Sequence, residues 1–166
     1  MGYYTDSAFV SHGFLRDRNG GFTTFDAPGA GTGAGQGTQS FAISPGGEIT
    51  GYYFDGTNAT HGFLRDKNGD ITTFDAPDAC NVPGSLQGTY PWGINTNGEI
   101  IGYYFDGTNV NHGFVRDKHG AIVEFDVPGA ADMGQWGSIA PNGAVAGFYF
   151  DANDARHGFV REAAGQ

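Results

Sequence analysis

A chain of 166 residues with no break in composition is expected to fold as a single domain. Eighteen Asp and Glu against eight Lys and Arg give a formal charge of −10, which excludes the clustered cations that grip nucleic acid or an anionic membrane. One cysteine, Cys80, leaves no internal disulfide framework, and no apolar run approaches the roughly 18 residues of a membrane-spanning helix.

Thirty glycines and seven prolines cut the chain so finely that no window free of both exceeds ten residues, so helices of ordinary length are excluded. Fourteen Phe, eight Tyr and two Trp supply an aromatic core instead. In chain order, residues 2–28 read as three short strands, GYYT, VSHGFLR and GFTTFDAP, joined by the turns DSAF and DRNG. A glycine-rich connection, GAGTGAGQGTQ, leads to residues 39–78, where an added first strand precedes EITGYYF, ATHGFLRD and DITTFDAP. A longer connection carrying DACNVPGSLQGTY leads to residues 91–128, with PWGIN, EIIGYYF, VNHGFVRD and AIVEFDVP. After GAADMGQW, residues 135–162 give the first three strands again, ending at ARHGFVRE.

Histidines in an HGF triplet therefore recur at His12, His61, His112 and His157, each six residues after an aspartate: Asp6, Asp55, Asp106 and Asp151. An arginine follows four residues later, at Arg16, Arg65, Arg116 and Arg161, and three copies continue to Phe25-Asp26, Phe74-Asp75 and Phe125-Asp126. A period of this length is the mark of a repeat architecture. Tight turns keep strands in one sheet, while long connections must cross to the next. The expectation is an all-β, β-propeller-like array of four-stranded antiparallel blades, two complete and two partial. A β-solenoid or an open meander array fits the same strand pattern. The chain is read as one repeat domain, 1–166, with units beginning near residues 2, 51, 102 and 147. Partial terminal sheets would leave strand edges unpaired, which suits a homo-oligomer or closure of one end onto the other.

The GYY, HGF, FD-x-P-GA and GIN-x-x-G elements together resemble the HAF-type repeat, named for a His-Ala-Phe triplet, with Gly in place of Ala in all four copies. The resemblance covers nearly the whole chain. It implies a bacterial extracellular or secreted tandem-repeat protein and carries over no catalytic residue.

The recurring His and Asp invite a catalytic reading, but a catalytic site occurs once, and these residues recur in every sheet. A structural staple between strands explains them: Asp6 with His12, Asp55 with His61, Asp106 with His112 and Asp151 with His157. Metal ligation is the competing reading, with Asp151 and Asp154 of the DANDARH stretch the densest oxygen cluster, although a four-residue hairpin supplies too few ligands for calcium. No EF-hand, HExxH, paired CxxC, Walker or GxSxG motif occurs, so no cofactor is expected.

Selective recognition belongs where the copies disagree, in the crossing connections. Asp78, Asn81, Tyr90 and Trp92 lie in or beside the second, and Trp136 occupies a near-equivalent place after the third. Indoles beside acids and amides suit a sugar, whose apolar face stacks while its hydroxyls hydrogen-bond; Trp as core filler is the alternative. The functional expectation is a non-catalytic module binding a glycan, small molecule or partner. The alternatives are a small enzyme with one site on the crossing-loop face, through Asp78, Cys80 or His119, and a purely structural scaffold.

Overall fold

A computed structural model describes residues 1–85 and 87–163, with the Trp136 side chain also left out of the description. Fourteen strands and no helix occur among the described residues. β1 (Gly2–Thr5), β2 (Ser11–Arg16) and β3 (Phe22–Phe25) form a three-stranded antiparallel sheet with β2 in the middle. β4 (Gly37–Ile43), β5 (Ile49–Phe54), β6 (Thr60–Arg65) and β7 (Ile71–Phe74) form a four-stranded meander. β8 (Thr89–Ile94), β9 (Ile100–Phe105), β10 (Asn111–Arg116) and β11 (Ile122–Phe125) repeat it. β12 (Asp132–Ile139), β13 (Val145–Phe150) and β14 (Arg156–Arg161) follow, with no outer strand among the described residues. The fold is thus an all-β array of antiparallel units, two four-stranded and two three-stranded, the first two joined into one seven-stranded sheet by a parallel bridge between β2 and β4, with no closed barrel among the described residues.

Turn chemistry places each hairpin. In the DGTN turns the Asp55 carboxylate accepts the Thr57 and Ala59 N–H groups while Asn58 takes φ +65°, and Asp106, Thr108, Val110 and Asn109 (φ +66°) repeat the arrangement. Asparagine tolerates this left-handed conformation better than most residues. At the opposite end of the sheets, Asp66 and Asp117 accept the backbone N–H groups of the KNG and KHG turns. The antiparallel order puts the DGTN-type turns and all three crossing connections at one common end.

The core lies between consecutive sheets. Ala27, Ile49, Tyr53 and Phe63 pack with Leu15 and Phe25 between the first and second, and Ala76, Ile100, Tyr104 and Phe114 pack with Leu64 and Phe74 between the second and third. The Phe of each Phe-Asp strand serves two sheets. Phe25, Phe74 and Phe125 each pair directly across from a glycine of their own sheet, Gly13, Gly62 and Gly113. A Cβ built on those glycines would lie 2.6, 2.9 and 2.5 Å from the respective ring, so only glycine leaves room for the aromatic to lie over the strand. The same rings meet Phe63, Phe114 and Phe159 of the next sheet edge-on at 6.1–6.2 Å. They also lie under the guanidinium groups of Arg65, Arg116 and Arg161 at 5.1, 4.8 and 4.9 Å.

Each four-stranded sheet has a β-bulge in its first strand, between Ser40 and Ala42 and between Pro91 and Gly93, and β12 has one between Met133 and Gly137. In β4 and β8 the extra residue is the aromatic, Phe41 or Trp92, and the two rings stack at 4.8 Å across the sheet junction.

Candidate functional site

The four histidines of the HGF triplets sit at the second position of their strands, each ring 5.1–5.2 Å from a tyrosine of the neighbouring strand, tilted on Tyr4 and stacked on Tyr53, Tyr104 and Tyr149. In three of them the close partner comes from the Phe-Asp strand, with Nδ1 of His12, His61 and His112 at 2.9 Å from a carboxylate of Asp26, Asp75 and Asp126. Nε2 of each faces the hairpin aspartate, Asp6, Asp55 or Asp106, at 3.5–3.6 Å. His157 is held by Asp151 through Nε2 at 3.0 Å. Each of the first three rings therefore lies between two carboxylates, one 14 residues downstream and one six residues upstream, where the sequence had suggested only the upstream one.

Bonding to Asp75 raises the His61 pKa against a smaller burial effect. For His12 and His112 burial is the largest single effect and lowers the pKa, but the combined pull of their two carboxylates raises it overall. On the acid side, the Val10 and Val110 N–H groups lead in holding Asp6 and Asp106 down, Asp106 to about 2. The His157 bond leads for Asp151. With both nitrogens facing carboxylates, the protonated form of the His12, His61 and His112 rings is stabilised relative to a free imidazole. Among the described residues, no group of three or more His, Cys, Asp or Glu could hold a metal ion. Asp151 Oδ1 accepts the Asn153 and Ala155 N–H groups, and Asp154, at φ +60°, donates its N–H to the Asp151 carbonyl.

The crossing-loop candidates do not converge. Asp78 is exposed, donates its N–H to Glu124, and lines an open cleft with Tyr104, Asp106, His112 and Asp126. Asn81 is exposed in the loop. Tyr90 is buried: its hydroxyl pairs with Thr60 at 3.0 Å and its ring stacks on Tyr103 at 4.9 Å. Trp92 is half-buried in its stack on Phe41. The Trp136 side chain lies outside the described residues. Cys80 donates its N–H to the Phe105 carbonyl, and His119 is exposed on the KHG turn at the other end of its sheet.

The sheet junctions themselves differ. At the first, Ser11 donates its N–H to the Gln36 carbonyl and pairs in parallel with Gly37, at φ +101°. At the second, Thr60 does the same with Gln87 and Gly88, at φ +135°. In both, a Cβ on the glycine would collide with the facing carbonyl oxygen, so glycine is required twice over. The glutamine amides add ties to the next hairpin, Gln36 to Asn58 at 2.9 Å and Gln87 to Asn109 at 3.1 Å.

The third junction keeps none of this. Ala131 stands where Gln36 and Gln87 stand, and Asp132 replaces the glycine. The Asp132 carboxylate takes the Asn111 N–H at 2.9 Å and its side-chain N–H at 3.4 Å. Asn111 is 4% exposed, yet its Oδ1 is buried without a hydrogen-bond partner, an arrangement that few native groups retain. Beside it opens a cleft of about 360 Å³ lined by Asn111, Asp132, Met133, Gln135, Phe148, Phe150 and Arg156. The Arg156 guanidinium lies over the Phe148 ring at 5.0 Å. The cleft thus gathers a carboxylate, an amide, a cation and apolar ring surface. Of these only Asp132 and Met133 announce themselves in the sequence, where DM stands against GT in GTQ and GTY. No family model, curated protein or solved structure matches this chain.

Proposed function

We propose that the chain is a non-catalytic, propeller-like module of the HAF-repeat type, acting outside the cell and binding a carbohydrate at its third sheet junction. The lining of the open cleft carries this reading: the Asp132 carboxylate accepts from donors outside the chain, beside an amide, a guanidinium and aromatic rings. Sugar hydroxyls supply such donors and also accept from Gln135 and Arg156, while the Phe148 and Phe150 rings offer apolar surface to a pyranose face. Nothing in the cleft pairs a nucleophile with a base, which favours binding over turnover. A single site of this size binds weakly, in a range of roughly millimolar to high micromolar.

Glycan-array screening followed by calorimetric titration tests the reading. Gln135→Ala and Arg156→Ala, in folded protein, are expected to weaken a captured saccharide about ten-fold each. Absence of saccharide binding, or affinity unchanged in both variants, replaces the reading with a structural scaffold.

A further inference from the structure

Three of the four HGF strands are covered by a Phe-Asp strand, and the three covers share one geometry. The Phe pairs opposite the HGF glycine, Gly13 with Phe25, Gly62 with Phe74 and Gly113 with Phe125. The following aspartate reaches the histidine Nδ1 at 2.9 Å. Three residues before each Phe stands Phe22, Ile71 or Ile122, opposite Arg16, Arg65 or Arg116.

β14 offers the same receptor with nothing in it. It pairs with β13 alone, so its other edge presents unpaired backbone among the described residues. Over Gly158 the nearest atom to a built Cβ is the Gly147 carbonyl oxygen, at 3.9 Å on the strand's own partner. His157 is already oriented, stacked on Tyr149 and bonded through Nε2 to Asp151. No carboxylate meets its Nδ1 among the described residues, and its side chain is 45% exposed against 20–23% for the other three. Val160, on the same strand, is 70% exposed. In a chain of net charge −10, this strand carries Arg156, His157 and Arg161.

We infer that the free edge of β14 is a binding site for an extended segment of the form apolar-x-x-Phe-Asp, supplied from outside residues 1–163. The segment adds as an antiparallel strand, seats its Phe over Gly158 and places its Asp on His157 Nδ1. Main-chain hydrogen bonds give affinity and the two side chains give selectivity. The FTTFD, ITTFD and IVEFD segments of this chain are each engaged in their own sheets, so the occupant is a partner segment and not a second copy that surrenders a strand. Arg156 is shared with the junction cleft, but Gly158 and His157 lie outside its lining, so the peptide test does not depend on the carbohydrate reading.

The probe is a fluorescein-labelled peptide GDITTFDAPDA, the sequence of residues 69–79, titrated by polarisation against the intact protein. Saturable binding is expected, weakened at least ten-fold when the peptide Phe becomes Ala or its Asp becomes Asn. Gly158→Val puts a side chain into the empty seat, where no neighbour obstructs it, and is expected to fold and to lose binding at least ten-fold. His157→Gln should reproduce the loss seen with the Asn peptide. Slower amide exchange confined to residues 156–161 on adding peptide locates the contact. No saturable binding, equal affinity for the Ala peptide, full affinity in a folded Gly158→Val protein, or self-association that excludes the peptide would overturn the inference.

Discussion

Arg116 is a buried cation with no salt bridge among the described residues. It is 7% exposed, its Nε has no acceptor, its Nη1 donates at 3.3 Å to the Asp117 carbonyl, and burial leads in lowering its pKa. What faces the charge is the Phe74 ring of the preceding sheet, 4.8 Å away. Desolvated cation–π pairs are worth about 2 kcal/mol and exposed ones about 0.5–1. The chain contains its own exposed control: Arg16 lies 5.9 Å from the ring of Phe22, which is 64% exposed. Arg116→Met keeps the apolar stem and Phe74→Leu keeps most of the apolar volume, so a double-mutant cycle isolates the charge–ring contribution. Urea midpoints at constant m-value are expected to give a coupling of about 1.5–2 kcal/mol for Arg116 with Phe74, against about 0.5 or less for Arg16→Met with Phe22→Leu. A coupling near zero at the buried pair, or equal coupling at both, refutes the claim that these contacts join the sheets.

Thermal stability should follow a bell in pH. His12, His61 and His112 have raised pKa values, so their contribution is complete below the unfolded value of about 6.5 and is lost as pH rises through the folded values. Asp6, Asp55, Asp106, Asp117 and Asp151 have lowered values, so theirs is complete above about 3.9 and is lost as pH falls through the folded values, about 2 for Asp106. Calorimetry is expected to place the highest Tm between about pH 4 and 6.5, with a shallower alkaline decline in His61→Gln; a Tm rising from pH 6 to 8 contradicts the assignment. Gly88→Ala combines φ +135° with a collision on the Thr60 carbonyl and should destabilise by about 3 kcal/mol. Gly107→Ala, with nothing within 4 Å, should remain within about 0.5 kcal/mol in the same denaturation series, and equal effects at the two positions would remove the case for the glycine bridges.

The strands and hairpins were legible because their signals are local: an aspartate that caps its own turn and an asparagine or glycine that takes positive φ act within five residues, whereas β4, β8 and β12 begin at Gly37, Thr89 and Asp132, ahead of the expected 39, 91 and 135. The His61–Asp75 contact was harder, since it forms only when the hairpin register sets Gly62 opposite Phe74. Tyr90 and Trp92 stood as candidate ligand contacts beside a connection, with core filler the alternative for Trp; strand β8 begins at Thr89, Tyr90 is buried, and a bulge turns Trp92 onto Phe41 of another sheet. Asp132 in place of a glycine was visible as a difference between copies. Its meaning depended on knowing that the glycines at that position bridge to Ser11 and Thr60.

The double duty of Phe25, Phe74 and Phe125 gives the array a direction. Each ring finishes its own sheet by lying over a glycine, and in doing so builds the floor on which the next sheet's arginine and phenylalanine rest. The reverse dependence is weaker, because Gly13 and His12 are covered by β3 whether or not Phe63 and Arg65 have arrived. A polypeptide synthesised from its N-terminus would therefore offer each emerging sheet a ring already seated over its glycine, so assembly in the order of synthesis is the path this geometry predicts.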